Sequence, residues 1–367
     1  MNMKNNPRVL VSPLEWGLGH ATRLARLIRI LLDQNMEVVI AADGLPYNFL
    51  MLQFPQLTFV RVPFTQVSYS TSRMGFFTKL LFQIPAIMLA ISKTRKQVRQ
   101  LAENYNIDYI ISDNRYGFSH PNIPSVFISH QLRPQPPKTL AWVENLFCRF
   151  HLRMIRHFDY WWIPDYEGKE NVTARLSHLP WINEKIKYIE PLSWLDQDWP
   201  EEKLKYGRVD IVFLLSGPEP QRSILETKAI TLLRDSTFRS LILQGLPHPA
   251  GEESHSKKEG NCVIVNHLPG SQILQYLKNT QLRICRAGVV SVFDLAALRL
   301  PALLIPSDGQ TEQEYVARHL YSQGYFDYCE EKDLSLDLID EFSRKSFKTF
   351  PKSEGKALAE AMDRFFA

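Results

Sequence analysis

The stretch Ser12-Pro13-Leu14-Glu15-Trp16-Gly17-Leu18-Gly19-His20-Ala21-Thr22-Arg23 sits where one periodicity gives way to another. Ahead of it, Arg8-Val9-Leu10-Val11 is a short apolar run of the kind that forms a buried strand. Behind it, Leu24, Leu27, Ile28, Leu31 and Leu32 recur at helical spacing. The reading is strand, tight glycine turn, helix. In an open α/β sheet the crevice beyond such strand ends is where ligands bind. Gly17 and Gly19 let the backbone approach a ligand closely, and a helix start offers free N–H groups to negative charge. His20 stands at that start, where a titratable imidazole can reach a substrate. A plain βα turn with a capping histidine has the same pattern, so this motif alone does not decide.

Working outward, strand-like runs alternate with helical ones. Val38–Ala42, 57–62, Tyr109–Ser112, Ser125–Ser129 and Tyr160–Ile163 read as strands, with a long helix from about Phe76 to Tyr105. This alternation predicts a parallel sheet covered by helices. Residues 164–208 lose the rhythm, carry Pro164, Pro180, Pro191 and Pro200, and read as a linker. Alternation restarts at Asp210–Leu215 and continues through Arg239–Leu243, Val263–Val265, Leu282–Cys285 and Ala302–Ile305. His248–Gly260 is polar and reads as an exposed loop. A chain of 367 residues is long for one core. Two Rossmann-like halves facing across a cleft, the favoured place for a ligand, are therefore expected.

Composition narrows the classes. Net charge is +4, from 43 Lys and Arg against 39 Asp and Glu, too mild to argue for a nucleic-acid partner. Cys148, Cys262, Cys285 and Cys329 show no Cys-x-x-Cys spacing, which fits a reduced cytoplasm without disulfides or a zinc site. The first residues lack the series of a secretory signal. The best apolar segment, Phe76–Ile91, is interrupted by Lys79, Gln83 and Pro85 and falls short of the roughly 20 residues needed to cross a bilayer.

The second half carries more motifs. Ser216-Gly217-Pro218-Glu219-Pro220-Gln221-Arg222 follows a strand and opens a helix, and Arg286-Ala287-Gly288-Val289-Val290-Ser291-Val292-Phe293-Asp294-Leu295 does the same. Asn266-His267-Leu268-Pro269, Pro301–Pro306 and Gln310–Tyr315 complete the pattern. With the glycine-histidine turn, this resembles the GT-B glycosyltransferases of family 28, the group of the lipid II-forming N-acetylglucosaminyl transferases. The resemblance covers most of the chain and is strongest over about 262–326.

The resemblance implies a GT-B fold of two doubly wound domains. Residues 1–190 would be the acceptor domain with linker and 191–350 the nucleotide-sugar domain. Residues 351–367 would form a helix packing back on the first. It implies a UDP-sugar donor, an inverting reaction, and no metal or other cofactor; the Asp-x-Asp of Asp196-Gln197-Asp198 lies in the linker rather than at a strand end. Asp294 would bind the ribose hydroxyls, where the family usually has glutamate. Gly288, Val289, Val290 and Ser291 would set a helix start against the diphosphate. Gln313 would meet the donor sugar, and the backbone at Leu268, beside His267, the uracil edge. Ser216, Gly217, Gln221, Arg222 and Arg286 would line the same cleft. Plain alternatives stand beside these: a first-turn carboxylate for Asp294, an ion pair for Arg286, a solvated helix residue for Gln313, a strand cap for His267.

Sugar transfer needs stabilisation of the departing diphosphate and a base for the acceptor hydroxyl. His20 is the first choice as base, Asp113 the second and His130 the third, each following a strand; an Asx-turn is the plain reading of Asp113. Gly17, Gly19 and His130 would line the acceptor and diphosphate loop. Two features bear on a lipid-linked or glycan acceptor and a peripheral place on the cytoplasmic membrane face. Phe76, Phe77, Leu80, Leu81, Phe82, Ile84, Ile87, Met88 and Ile91 precede Lys93, Arg95, Lys96 and Arg99. Arg149, Arg153 and Arg156 share one helix face, with Phe147, Phe150, Met154 and Phe158 on the other. Ordinary amphipathic helices look the same. The rival functions are a UDP-sugar 2-epimerase and a non-catalytic nucleotide-sugar-binding protein.

Overall fold

The computed structural model describes residues 6–15, 18–63, 73–136, 142–181, 183–246 and 254–367, with backbone alone over 73–84. Gly17 and the side chains of Phe76, Phe77, Leu80, Leu81, Phe82 and Ile84 lie outside the described residues.

The first sheet contains β1 (Arg8–Ser12), β2 (Glu37–Ala42), β3 (Thr58–Arg61), β4 (Tyr109–Asp113), β5 (Ser125–Ile128), β6 (Tyr160–Ile163) and β7 (Ile186–Tyr188). Its order is β3-β2-β1-β4-β5-β6-β7, and every pairing is parallel. The helices of this half are α1 (Gly19–Asp33), α2 (Gly44–Gln53), α3 (Arg73–Asn104) and α4 (Glu144–Ile155). Parallel strands covered on both faces must be apolar throughout. Accordingly Val9, Leu10, Val11, Ile110, Ile111, Val126, Phe127 and Ile128 are all fully buried. The order reverses between β1 and β4, so the ligand crevice opens there. Ser12 pairs with Ser112, which sets the end of β1 level with Asp113.

The second half repeats the plan. It runs β8 (Ile211–Leu214), α5 (Gln221–Leu233), β9 (Ser240–Leu243), β10 (Ser256–Glu259), β11 (Cys262–Val265), α6 (Gly270–Asn279) and β12 (Leu282–Arg286). It continues with α7 (Val289–Ala297), β13 (Leu303–Ile305), α8 (Thr311–Gln323), β14 (Asp327–Tyr328), α9 (Leu336–Ser343) and α10 (Lys356–Phe366). The order β10-β11-β9-β8-β12-β13-β14 reverses between β8 and β12. The apolar core runs unbroken from one sheet to the other through the linker, joining Val9, Ile28 and Trp162 to Ile189, Leu192 and Trp194 and on to Phe293 and Leu304. The last helix, α10, returns to the first sheet, with Phe365 and Phe366 edge-on to Tyr109 at 5.3 and 4.8 Å and Phe365 edge-on to Trp162 at 5.7 Å.

Three sequence expectations need correction. The proline-rich stretch 164–208 contains β7, the seventh strand of the first sheet, too short to show a period of its own. The loop read over His248–Gly260 contains β10, whose exposed Ser-Lys-Lys residues pair antiparallel with β11 and cover that sheet's edge. The apolar face assigned to Phe147, Phe150, Met154 and Phe158 is divided: Met154 and Phe158 are core, and the exposed residues here are Trp142, Leu146 and Phe150.

Candidate active site

The turn after β1 leads into α1, which begins at Gly19 and therefore points its first-turn amides into the crevice between β1 and β4. His20 is the second residue of that helix. Its Nδ1 lies 2.9 Å from Asp113 Oδ1 at the end of β4. One helical turn on, Arg23 forks onto the same carboxylate, Nε to Oδ2 at 3.1 Å and Nη2 to Oδ1 at 2.5 Å. The side chains of Arg23 and Asp113 are both 0% exposed. Arg23 Nη1 continues to His130 Nδ1 at 3.4 Å, and His130 Nε2 meets Glu312 Oε1 at 3.1 Å. Glu312 is in the first turn of α8, in the other half of the molecule. One buried polar chain thus joins Asp113, His20, Arg23, His130 and Glu312 across the domain boundary.

Burial drives the His20 pKa below its ordinary value; Asp113 opposes this, while Arg23 and His130 add to it. The imidazole is therefore neutral at neutral pH. Burial also works to raise Asp113, but Arg23 and then His20 outweigh it and hold the carboxyl below its usual range. Glu312 follows the same pattern, with burial opposed by His130, His20 and Arg23 and a net lowering. Asp113 is thus held as an anion with both oxygens engaged by His20 and Arg23 and no exposed surface. His130, the third choice, has Nε2 engaged by Glu312.

The other wall is α7. Its N-cap is Gly288, beside which Ser216 Oγ lies 3.6 Å from where a Cβ would stand. Gly217 follows with φ +101°, a left-handed conformation that favours glycine. Gly19 needs its missing side chain for another reason: a Cβ there would sit 2.9 Å from Val290 Cγ2. The first residue of α1 and the second of α7 therefore touch, and two helix starts from different domains converge. Neither is capped by its N-cap side chain, and neither has an acidic residue in its first turn. Phe293 of α7 lies against His130, ring centroids 6.4 Å apart.

Asp294, further along α7, accepts a hydrogen bond from Ser193 Oγ of the linker at 2.6 Å. Burial pushes its carboxyl up to about 7, with Ser193 opposing and Asp196 adding to the rise. Three of the proposed cleft residues are not free arms. Arg222 is paired with Glu219 and Glu226. Arg286, 1% exposed, donates to the Gln221 carbonyl and pairs with Glu331. Gln313 accepts from the Ser307 amide at 2.8 Å and donates to Gln310 Oε1 at 2.6 Å. They brace the loops that shape the cleft. His267 and the buried Leu268 precede α6, with Phe49 edge-on to His267 at 6.1 Å. Arg23, Glu312 and Ser193 escape the sequence reading, because each acquires its role from a partner 90 or more positions away.

Comparison with known proteins agrees with this architecture. Residues 248–364 match the glycosyltransferase family 28 C-terminal domain. A 160-residue stretch is 36% identical to a UDP-N-acetylglucosamine--N-acetylmuramyl-(pentapeptide) pyrophosphoryl-undecaprenol N-acetylglucosamine transferase of Caldanaerobacter subterraneus subsp. tengcongensis, covering 41% of this chain and 44% of that relative. The match thus spans less than half the length of that relative. An uncharacterized glycosyltransferase of Methanosarcina mazei is 23% identical over 347 residues, covering 89% of this chain and 87% of the relative. Among solved structures, LpCGTa in complex with UDP superposes with a TM-score of 0.62 at 15% identity, over 99% of this chain and 100% of that one. The chain has a GT-B fold, and its residues 248–364 match the family 28 C-terminal domain.

Proposed function

We propose that this protein transfers a sugar from a UDP-sugar to an acceptor hydroxyl, with inversion and without a metal. The observation that carries the reading is the meeting of two uncapped helix starts, at Gly19 and Val290, beside a neutral histidine. Each start presents free amides and about half a positive charge, so their convergence suits a diphosphate. In the transfer step His20 Nε2 takes the acceptor hydroxyl proton. The acceptor oxygen bonds to the anomeric carbon as that carbon's bond to the diphosphate oxygen breaks. UDP leaves with the electron pair, and its charge is stabilised by the α1 and α7 amides. Asp294 accepts the ribose hydroxyls in place of Ser193. A uridine donor fits the name of the 36% identical relative.

A thermal-shift panel of nucleotides and nucleotide sugars in EDTA tests this. Stabilisation by UDP and one UDP-sugar is expected, with no new nucleotide sugar formed when that donor is incubated alone. No shift with any uridine nucleotide would overturn the donor, and an epimerised donor would overturn transfer as the activity.

The acceptor is proposed to be lipid-linked, reached from a membrane surface. Among the described residues no helix is long and apolar enough to cross a membrane. Met88 and Leu89 of α3 and Trp142, Leu146 and Phe150 at α4 are exposed, Trp142 by 80%. Lys93, Lys96 and Arg99 on α3 and Arg149, Arg153 and Arg156 at α4 are exposed too. The two helices adjoin where Arg95 meets His157 at 3.4 Å. Apolar side chains rimmed by cations suit an anionic bilayer. The protein should float with phosphatidylglycerol vesicles at low salt, and Leu146→Glu with Phe150→Glu should abolish this. No flotation of the parent protein at low salt would remove the membrane from the reading.

A further inference from the structure

We propose that Arg23 is a positioning residue that holds the two cleft histidines in opposite tautomers, leaving His20 Nε2 as an acceptor and His130 Nε2 as a donor. This rests on the reading of His20 as the base.

The argument is one of donors and acceptors. A guanidinium carries five N–H donors and no acceptor, and stays protonated. Arg23 Nη1 faces His130 Nδ1 at 3.4 Å and the Glu312 carboxylate faces Nε2 at 3.1 Å, and both contacts are satisfied together when Nδ1 offers a lone pair. His130 then carries its proton on Nε2, where Glu312 Oε1 accepts at 3.1 Å. His20 has the reverse arrangement. Its Nδ1 faces Asp113 Oδ1 at 2.9 Å, and an ionised carboxylate only accepts. The proton therefore sits on Nδ1, and the Nε2 lone pair is left for the substrate. Were Asp113 protonated, its O–H would donate to Nδ1 and move the imidazole proton to Nε2, removing the base. Arg23 prevents this by occupying both Asp113 oxygens. Arg23 Nη2 also lies 3.1 Å from His20 Nδ1; with Asp113 Oδ1 closer to that nitrogen, at 2.9 Å, and only 2.5 Å from Nη2, both N–H groups are assigned to the carboxylate.

Lysine cannot replace this fork. Its ammonium is a single point of charge and cannot span both carboxylate oxygens and a second imidazole. Arg23 is fully buried, so it acts only through these partners.

Long-range nitrogen–proton NMR of the histidine rings in the whole protein, without nucleotide, reads the tautomers directly. His20 is expected as Nδ1–H and His130 as Nε2–H at pH 7.5. In Arg23→Lys or Arg23→Gln, His130 should become a mixture of tautomers. In Arg23→Gln, which alone removes the cation, the His20 titration midpoint should rise, with Asp113, His130 and Glu312 as the remaining charged or titratable neighbours in the cluster. Arg23→Lys should lower kcat at least tenfold while UDP affinity stays within twofold. Unchanged tautomers and His20 midpoint in a folded variant would overturn the proposal. So would a wild-type spectrum with His20 as Nε2–H or His130 as Nδ1–H, a result that needs no variant to fold. Correct tautomers with no sugar transfer would remove the proposed function instead.

Discussion

His20→Ala lowers sugar-transfer turnover by about a thousandfold, within the ~10²–10⁴ that a positioned general base supplies. The His20 side chain is 10% exposed, and the residue directly follows Gly19, where two helix starts meet. Its removal leaves the Arg23–Asp113 fork intact, so the floor of the crevice keeps its shape. The contacts proposed for the uridine and ribose lie in the other domain, and those proposed for the diphosphate from this one are backbone amides, so UDP affinity should change little. The pH profile carries the signature. Burial, moderated by Asp113 and reinforced by Arg23 and His130, puts the His20 pKa below 6.5. A base must be unprotonated, so turnover should rise with pH through a midpoint below 6.5 and then level off. In His20→Ala the residual rate should lose that limb. Steady-state kinetics with saturating donor across pH 5–8 checks both points; near-normal turnover in the variant would remove His20 as the base.

Much of this site can be read along the chain, because its supports are local. The run Arg8–Val11 and the stripe Leu24–Leu32 announce a strand and a helix, and the turn between them must lie at a strand end. The same logic places Asp113, His130, Ser216 and Gly288 at strand ends, and strand ends in a doubly wound sheet share one edge. What the sequence hides is long-range. Arg23 reads as an ordinary polar residue of an amphipathic helix, and only the β1–β4 pairing reveals the carboxylate beneath it. Glu312 reads as a first-turn acid that favours a helix dipole, yet it spans the domain boundary to His130. Ser193 sits in a stretch without periodicity, and its hydrogen bond to Asp294 is a product of the way the linker crosses the cleft. The same absence of periodicity hides β7, whose three residues gain their conformation by pairing with β6.

Asp113→Asn should destabilise the first domain by about 3–5 kcal/mol, the usual result of stripping one partner from a buried ion pair. The amide keeps the shape and removes the charge, so Arg23 is left with no carboxylate against it and no exposed surface. The amide also presents a donor to either Arg23 or His20, and the fork and the imidazole cannot both be satisfied. Two domains need not unfold together, so a single midpoint for the whole chain is a poor measure. Tryptophan fluorescence weights the first, because Trp16, Trp142, Trp161, Trp162 and Trp181 precede residue 190, while only Trp194 and Trp199 stand beside Gly270 of α6. The urea midpoint read by that signal should fall clearly in Asp113→Asn. The parent protein should also lose stability on acidification. The folded-state values of His20, Asp113 and Glu312 are all depressed, so the unfolded chain binds protons first and stability falls as pH falls. His20 contributes from about pH 6.5 downward, and the two carboxylates from about 4. Asp113→Asn should flatten the lower limb, because its carboxylate no longer titrates. The upper limb should grow instead, because Asp113 holds the folded His20 value up, and without its charge that value falls further below the unfolded one. An unchanged urea midpoint at neutral pH would mean that Arg23 finds another acceptor, and the buried fork would not be what holds β1, β4 and α1 together.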